Sequence, residues 1–255
     1  MGGSGIAAGG SGGQGGDGAG IYSGNNSDLL NCTVASNWGG SGGLGGVTIY
    51  PPFMPPGRAG IGGVANAFGT VRLVNTIVAL NAGDTNSPDV SGAFLSLGYN
   101  LIGTTNGSSG FLIPGDLIGS LAFPLDPKLG PLANNGGPTP TMALLPGSPA
   151  IDAGNTATAP PTDERGFPRP AGAAADIGAF EYGSVMPTIA VSQSGETVNI
   201  LASGNAGNSC RLLSSTDLSS WIPIATNQLG SDGTFLFSDN FAPGAVCRFY
   251  RLVMP

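Results

Sequence analysis

The sequence predicts an all-β protein: a right-handed parallel β-helix (a solenoid) with an irregular C-terminal cap, followed by a small β-sandwich. The first observation behind this prediction is an internal repeat, since Asn31-Cys-Thr-Val-Ala-Ser-Asn37 returns as Asn75-Thr-Ile-Val-Ala-Leu-Asn81 after 44 residues. A β-branched run between asparagines, recurring at twice about 22 residues, is typical of stacked repeats. The second is a group of short apolar runs near the C-terminus, separated by turn residues.

Composition divides the chain into five segments. Residues 1–19 form a glycine-rich lead-in, residues 20–125 the predicted coils, residues 126–182 the cap, residues 183–187 a linker and residues 188–255 the sandwich. Because 40% of the residues are hydrophobic, the chain has enough apolar side chains to close a core.

In the coil segment each predicted strand ends at an asparagine and gives way to glycine. One coil cannot bury its own inward face, so neighbouring coils stack at about 4.8 Å and supply the core. We expect about four turns between Gly18 and Ile102, with ladders of hydrogen-bonded side chains at Asn31 or Asn37. The predicted inward side chains are Leu30, Val34, Val74 and Val78.

A proline-rich segment, Tyr50-Pro-Pro-Phe-Met-Pro-Pro-Gly57, interrupts the repeat. Proline cannot donate a hydrogen bond to a β-ladder, so the segment predicts a loop that protrudes from the stack. The loop either folds over the side of the coils or contacts a ligand.

Charge and composition exclude several classes of function. The net charge is -7, and the 8 Lys and Arg residues do not cluster, which argues against nucleic-acid binding. Histidine is absent, so any general acid or base would have to be a carboxylate. No apolar run is long enough to span a membrane, and we expect any export signal to lie outside this chain.

Three groups of side chains are candidates for a site. Arg165 can bind Asp152, Asp176 or Glu181 and close the end of the coils, which is the structural interpretation of this charged cluster. The alternative is a Ca²⁺ site with oxygen ligands, formed by Asp152, Asp163, Asp176 and Glu181. An alternative catalytic group, of the kind that polysaccharide lyases and hydrolases use, comprises Asp84, Asp89 and Asp116.

In the last segment, Trp221 and Tyr250 either contact a glycan or fill the core of the sandwich. Cys210 and Cys247 either form a disulfide or are two buried thiols on neighbouring strands. Cys32 aligns with Thr76 in the repeat and is expected to pack within the stack.

Five motifs in order resemble the bacterial choice-of-anchor Q domain, usually found at the end of exported right-handed parallel β-helix proteins. The resemblance implies a secreted or surface-attached protein whose attachment module varies between members, and it implies no catalytic residues. An LPXTG sorting motif, one route of attachment, is missing from this sequence. The matching motifs span residues 98–103, 126–142, 145–154, 162–169 and 176–181.

The function that these observations predict is structural display or adhesion by a non-catalytic protein that is secreted or held at the cell surface. The expected partners are extracellular polysaccharides or cell-surface components. No cofactor is expected apart from the calcium alternative. The competing interpretations are a carbohydrate-active enzyme and a glycan-binding module.

Overall fold

The computed structural model describes residues 20–43, 59–86, 88–240 and 247–253. Within these residues the protein is all-β, with 18 strands and no helix, so no described helix could cross a membrane. The lead-in, residues 1–19, and the predicted proline loop, residues 50–57, lie outside the described part of the chain.

The first ten strands pair in parallel. They are β1 (Ile21–Ser23), β2 (Ser27–Leu30), β3 (Thr33–Ala35), β4 (Val64–Asn66), β5 (Val71–Val74), β6 (Ile77–Ala79), β7 (Val90–Ser96), β8 (Leu101–Ile102), β9 (Ser108–Ser109) and β10 (Leu117–Ile118). One sheet has the order β1-β4-β7-β5-β2, with β9 beside β7, and a second has the order β10-β8-β6-β3. Because β7 pairs with β4 through its first residues and with β5 through later ones, the first sheet is curled.

The repeat found in the sequence sets the register of these sheets. Val34 pairs with Val78 in parallel, and Val78 pairs with Ile102. The predicted parallel alignment of the two asparagine-flanked segments is therefore confirmed. We call the passes β1–β3, β4–β6 and β7–β8 the first, second and third layers.

The predicted spacing of two coils for each repeat is wrong. The pairing from the first to the second layer spans 44 residues, and that from the second to the third spans 24. Since β3 and β6 pair directly, 44 residues make one step, and the described residues from Gly20 to Ile102 form three layers rather than about four. The pairing of the first layer with the second continues at Trp38, which pairs with Ala82, and at Gly39, whose N–H donates to Ala82 O at 2.8 Å. The described chain resumes beside this point, since the Gly60 N–H donates to Gly40 O at 2.8 Å.

Successive residues of β6 and β8 face two different cores. One core holds Val34, Val78 and Ile102 between the two sheets, and the other holds Ile77 and Leu101 under the cap. This is the two-residue period of a strand, whose successive side chains point to opposite faces. The predicted inward position of Leu30 is wrong because this residue is 46% exposed, whereas Leu29 is in the core and pairs with Leu73.

The polar corners between the strands form the expected ladders. Asn75 Nδ2 donates to Asn31 Oδ1 at 3.3 Å, and Asn37 Nδ2 donates to Asn81 Oδ1 at 3.0 Å. Asn31 and Asn75 have φ angles of 48° and 50°, a left-handed conformation that asparagine tolerates better than most residues. The same corner is thus built twice, once in each layer.

The cap contains the hairpin of β11 (Leu129–Ala133) and β12 (Thr141–Leu144), followed by turns. The sequence predicted that the cap closes the end of the stack, but the contacts of the cap lie on the side of the stack. Leu144, Ala150, Ile177 and Phe180 of the cap pack with Ile77, Ala79 and Leu101, on the outer face of the second parallel sheet. An apolar sheet face is costly to leave in water, so the cap covers this lateral face.

Six further strands follow in the segments where the sequence predicts strands. They are β13 (Thr188–Ser194), β14 (Thr197–Ser203), β15 (Ser209–Ser215), β16 (Ile222–Gln228), β17 (Thr234–Asn240) and β18 (Phe249–Val253). They form two antiparallel sheets, β13-β14-β17 and β16-β15-β18. The start of the predicted linker contacts the segments on both sides of it, since Ser184 Oγ donates to Pro168 O at 2.7 Å and Asn205 Nδ2 donates to Gly183 O at 2.9 Å.

Candidate functional site

Asp89, one of the alternative catalytic residues, is buried at a corner of the stack. Its Oδ1 accepts hydrogen bonds from the Asn81 N–H and from Asn81 Nδ2, both at 3.0 Å. Its Oδ2 accepts one from the Thr104 hydroxyl at 2.9 Å. Burial raises the pKa of Asp89 despite these donors. Both carboxylate oxygens are therefore engaged in holding the turn after β6.

Asp116 makes the same arrangement at another corner. Its Oδ1 accepts hydrogen bonds from the Asn100 N–H at 3.0 Å and from Asn100 Nδ2 at 3.1 Å. Its Oδ2 accepts one from the Ser96 hydroxyl at 2.6 Å. Asn100 immediately precedes β8, whereas Asn81 follows the neighbouring parallel strand β6, so the two aspartates serve opposite ends of one sheet.

Asp84 is buried in a separate turn. Its Oδ1 accepts a hydrogen bond from the Asn86 N–H at 2.7 Å, and its own N–H donates to Gly60 O at 2.8 Å. The fold does not bring Asp84, Asp89 and Asp116 around one cleft. Each of the three accepts hydrogen bonds from neighbouring backbone or side-chain groups, which is the usual role of aspartate in turns.

The cap holds a buried network of charges built on Asp163. Asp163 Oδ1 accepts hydrogen bonds from the Arg165 N–H at 2.9 Å and the Phe167 N–H at 3.1 Å. Asp163 Oδ2 accepts hydrogen bonds from Arg165 Nε at 2.9 Å and Nη2 at 2.7 Å. The Arg165 guanidinium also lies 4.2 Å from the ring centroid of Phe167 and 3.7 Å from that of Phe180. Stacking and ion pairing together fix this arginine in the cap.

The prediction that Arg165 pairs with the carboxylate of Asp152, Asp176 or Glu181 is wrong. Asp163 forms a tight turn with its first oxygen, which places its second oxygen against the guanidinium of Arg165 two residues later. Arg165 does contact Glu181, but through the Glu181 main-chain oxygen, to which Nη2 donates at 2.7 Å.

Arg169 is the partner of Glu181, and the sequence did not assign this role. Arg169 Nη1 donates to Glu181 Oε2 at 2.8 Å and to Asp176 O at 3.0 Å, and Nη2 donates to Gly178 O at 2.7 Å. The side chains of Arg169 and Glu181 have 1% and 0% of their surface exposed. Desolvation in the core of the cap opposes charge on both groups, so each depends on the other.

The remaining acids of the proposed calcium group, Asp152 and Asp176, accept hydrogen bonds from backbone N–H groups. Asp176 Oδ1 accepts a hydrogen bond from the Asp152 N–H at 2.7 Å, and Asp152 Oδ1 accepts one from the Ala174 N–H at 3.1 Å. In the described part of the chain, no three acidic or thiol side chains converge as metal ligands would. The arginines and backbone donors bind the oxygens that Ca²⁺ would need, which does not fit a calcium site.

Glu181 makes the stability of the fold depend on pH. Burial and the nearby Asp176 carboxylate raise the pKa of Glu181 to about 7, in spite of Arg169. A raised pKa means that the folded state binds the proton more tightly than the unfolded state. The contribution is fully present below the ordinary pKa of glutamate and is lost as pH rises through 7.

We therefore expect the free energy of unfolding to fall as pH is raised from 4.5 to 8, measured by urea denaturation. The Glu181→Gln variant should show a shallower fall, because its side chain does not titrate. Asp217, whose pKa is lowered to about 2 by the N–H groups of Ser220 and Ser219, acts only at far lower pH. Equal slopes for the two proteins would contradict the assignment.

The cap binds the stack at the asparagine corner, and the sequence did not predict this contact. Asn75 Oδ1 accepts a hydrogen bond from the Asn155 N–H at 2.7 Å, and Asn75 Nδ2 donates to Asn155 O at 3.0 Å. Gly178 N–H donates to Asn75 O at 2.8 Å, and Ala179 N–H donates to the Thr33 hydroxyl at 2.9 Å. The ladder asparagines therefore serve two purposes, within the stack and toward the cap.

The two aromatic residues proposed to contact a glycan differ in their surroundings. The Tyr250 ring packs against the core of Val198, Ile200 and Leu212, and its hydroxyl donates to Asp239 Oδ2 at 2.9 Å. Trp221 is partly exposed, and its indole N–H donates to Leu218 O at 3.1 Å. The contacts of Tyr250 favour the core interpretation for this residue.

The disulfide predicted between Cys210 and Cys247 does not form, since both thiols are free. In the antiparallel pairing of β15 with β18, Arg211 lies opposite Val253 and Ser215 opposite Phe249. Cys210 and Cys247 therefore sit at opposite ends of this ladder, roughly 20 Å apart at 3.3 Å a residue, far beyond disulfide reach. The alternative of two buried thiols is also only half correct, because Cys247 is exposed.

Together these contacts define an all-β protein with a curled parallel sheet and a second parallel sheet whose outer face is covered by a cap that contains buried ion pairs. No family model, curated protein or solved structure matches the chain.

Proposed function

We propose that this chain is a non-catalytic, secreted or cell-surface protein whose role is structural display or adhesion. The observation that carries the proposal is the structural role of its buried and half-buried acids. Asp89 and Asp116 hold turns of the stack, while Asp163 and Glu181 hold the cap through Arg165 and Arg169. These acids stabilise the turns and the cap. We therefore assign the function to the outer surface of the protein and not to a catalytic cleft.

The architecture we propose is a right-handed parallel β-helix with a lateral cap, followed by a small β-sandwich. Each layer passes through the same sequence of strand positions, and the layers pair in parallel, as successive coils do. In the last segment, one core cluster combines Val198 and Ile200 of β14 with Leu212 of β15, which belong to different sheets. Shared packing of this kind is typical of a sandwich. The resemblance to choice-of-anchor Q domains supports the same assignment.

The location is tested by protease treatment of intact cells that produce the full protein. A displayed protein should be digested by external protease while a cytoplasmic marker is retained. Recovery of the undigested chain with the cytoplasmic marker would refute the proposed location.

The catalytic alternative is tested with a panel of uronic-acid polymers, by following unsaturated products and reducing ends. We expect no turnover. Turnover that is lost in the double variant Asp84→Asn, Asp89→Asn, but kept in Asp116→Asn, would replace our proposal with a carbohydrate-active enzyme. Circular dichroism of each variant would show that the loss is not caused by unfolding.

A further inference from the structure

A groove of about 840 Å³ lies between the outer edge of the first layer and the far half of the cap hairpin. Its floor includes Thr33 and Ala35 of β3, and its opposite wall includes Leu132 and Met142 of the hairpin. Neither the proposed display role nor the buried network of the cap uses this groove.

The floor of the groove is the outer edge of strand β3. Strand β3 is the last in the order β10-β8-β6-β3, so its outer edge has no neighbouring strand among the described residues. Cys32 O accepts a hydrogen bond from the Ile77 N–H at 2.8 Å, and Val34 O accepts one from Asn81 Nδ2 at 3.0 Å. These groups face β6. Because peptide groups alternate in direction along a strand, the N–H and C=O groups of Thr33 and Ala35 face the groove.

The wall of the groove continues a surface that already covers strands. At the base of the hairpin, Leu144 packs with Ile77 and Leu101 on the outer face of β6 and β8. Farther along the hairpin, Leu132 lies opposite Met142 and is 68% exposed. The part of the hairpin that borders the groove thus carries an apolar side chain like those that cover β6 and β8, but no strand of the described residues lies beneath it.

We propose that this groove binds an extended polypeptide segment, which adds as a parallel strand beside β3. The side-chain columns of β3, β6 and β8 indicate which residues the bound segment needs. These columns are Val34, Val78 and Ile102 on one face and Thr33, Ile77 and Leu101 on the other. An added strand continues both columns when it carries aliphatic residues at successive positions, as β6 does, and it pairs with the outward backbone groups of β3.

A polypeptide fits this groove better than a glycan does. The donors and acceptors of Thr33 and Ala35 repeat at every second residue in the plane of the sheet, which matches a peptide backbone. Glu164 lines the groove and is exposed, so a neutral or basic segment is preferred over an acidic one. This inference is independent of the proposed display role, since it rests only on the edge of β3 and the hairpin.

The test is fluorescence anisotropy of the full-length chain with a labelled peptide of the sequence Asn75–Asn81. This chain already places that sequence in parallel register against the other edge of β3. We expect saturable binding by the unmodified protein. The same peptide with alternate amide nitrogens methylated, which cannot donate hydrogen bonds, should not bind.

Two variants locate the binding. Ala35→Pro removes a groove-facing N–H while sparing the bonds to β6, and it should weaken binding by about tenfold or more. Leu132→Ser removes the apolar wall and should weaken binding several-fold, which keeps the test valid if the proline variant does not fold. Leu236→Ser is the matched control, since Leu236 is 59% exposed in the last segment, and its affinity should equal that of the unmodified protein.

Three outcomes would overturn the proposal. One is no peptide binding, and another is equal binding of the methylated peptide. The third is self-association of the unmodified chain that Ala35→Pro abolishes, because a second copy would then occupy the groove. A neutral polysaccharide that displaces the labelled peptide, and that binds the Ala35→Pro variant as tightly as the unmodified protein, would indicate a glycan site. That result would also contradict a strand-binding groove.

Discussion

Replacing Arg169 with methionine is expected to lower the free energy of unfolding by about 3–5 kcal/mol at pH 8, measured by urea denaturation. Arg169 donates hydrogen bonds to Glu181 Oε2, Asp176 O and Gly178 O, and its side chain is 1% exposed. Methionine fills similar space but leaves a fully buried carboxylate without its counter-charge. The destabilisation should be greatest in the cap and in the face of the second sheet that the cap covers.

The pH dependence of this loss distinguishes charge from packing. Since the pKa of Glu181 is raised to about 7, this carboxyl is mostly ionised at pH 8 and mostly protonated at pH 5. A protonated Glu181 needs no counter-charge, so the loss caused by Arg169→Met should be smaller at pH 5. A loss that is the same at both pH values would mean that Arg169 acts through packing alone.

The matched control is Arg72→Met, which breaks the ion pair between Arg72 and Asp28. Arg72 and Asp28 lie on adjacent parallel strands, and their side chains are 50% and 62% exposed. Exposed ion pairs contribute little to stability, because water screens them and two long side chains must be ordered. We expect little change in this variant. Equal losses in the two variants would contradict the special role of the buried pair.

The sequence predicted the register of the sheets but not the number of layers. The aligned asparagines identified Val34 and Val78 as neighbours because stacked layers require equivalent residues at equivalent positions. A spacing of 44 residues fits either two coils or one coil with an insertion, because an insertion and a complete coil have similar length. Only the direct hydrogen bonds between β3 and β6 distinguish these possibilities.

Adjacent aliphatic residues also limited the prediction of the core. Leu29 and Leu30 are chemically equivalent in the sequence, and a strand must direct one inward and the other outward. The neighbouring residues do not decide between them, and the structure places Leu29 in the core and leaves Leu30 46% exposed. A one-residue error in strand register reverses the faces of a whole strand.

The charged cluster of the cap was recognised from the sequence, but its pairings were not. Asp152, Asp163, Arg165, Asp176 and Glu181 lie in one segment of the sequence and indicate a structural cluster. Which carboxylate meets which arginine depends on turns whose geometry composition does not determine. Asp163 meets Arg165 because of one tight turn, and Arg169 is left to meet Glu181. The position of the cap was predicted wrongly because the apolar outer face of β6 and β8 became evident only with their register.

Replacing Asn75 with alanine is expected to cost about 3 kcal/mol of unfolding free energy, because this one side chain joins two layers and the cap. Asn75 is fully buried, and its amide contacts Asn31 Oδ1, Asn155 O and the Asn155 N–H. Alanine leaves those groups without partners, and it must also adopt the φ angle of 50° that asparagine tolerates. Urea denaturation measures the loss.

Asn26→Ala is the control for this variant. Asn26 Oδ1 accepts a hydrogen bond from the Thr70 N–H at 2.9 Å across the same two layers, but this hydrogen bond is exposed to solvent. Water can replace that hydrogen bond, so the cost should be about 1 kcal/mol or less. Asn75→Gly separates backbone strain from lost hydrogen bonds, because glycine adopts the left-handed conformation freely and should retain part of the stability that alanine loses. If Asn75→Ala cost no more than Asn26→Ala, the cap would have to be held by the apolar contacts of Ile177 and Phe180 with Ile77, and not by the asparagine corner.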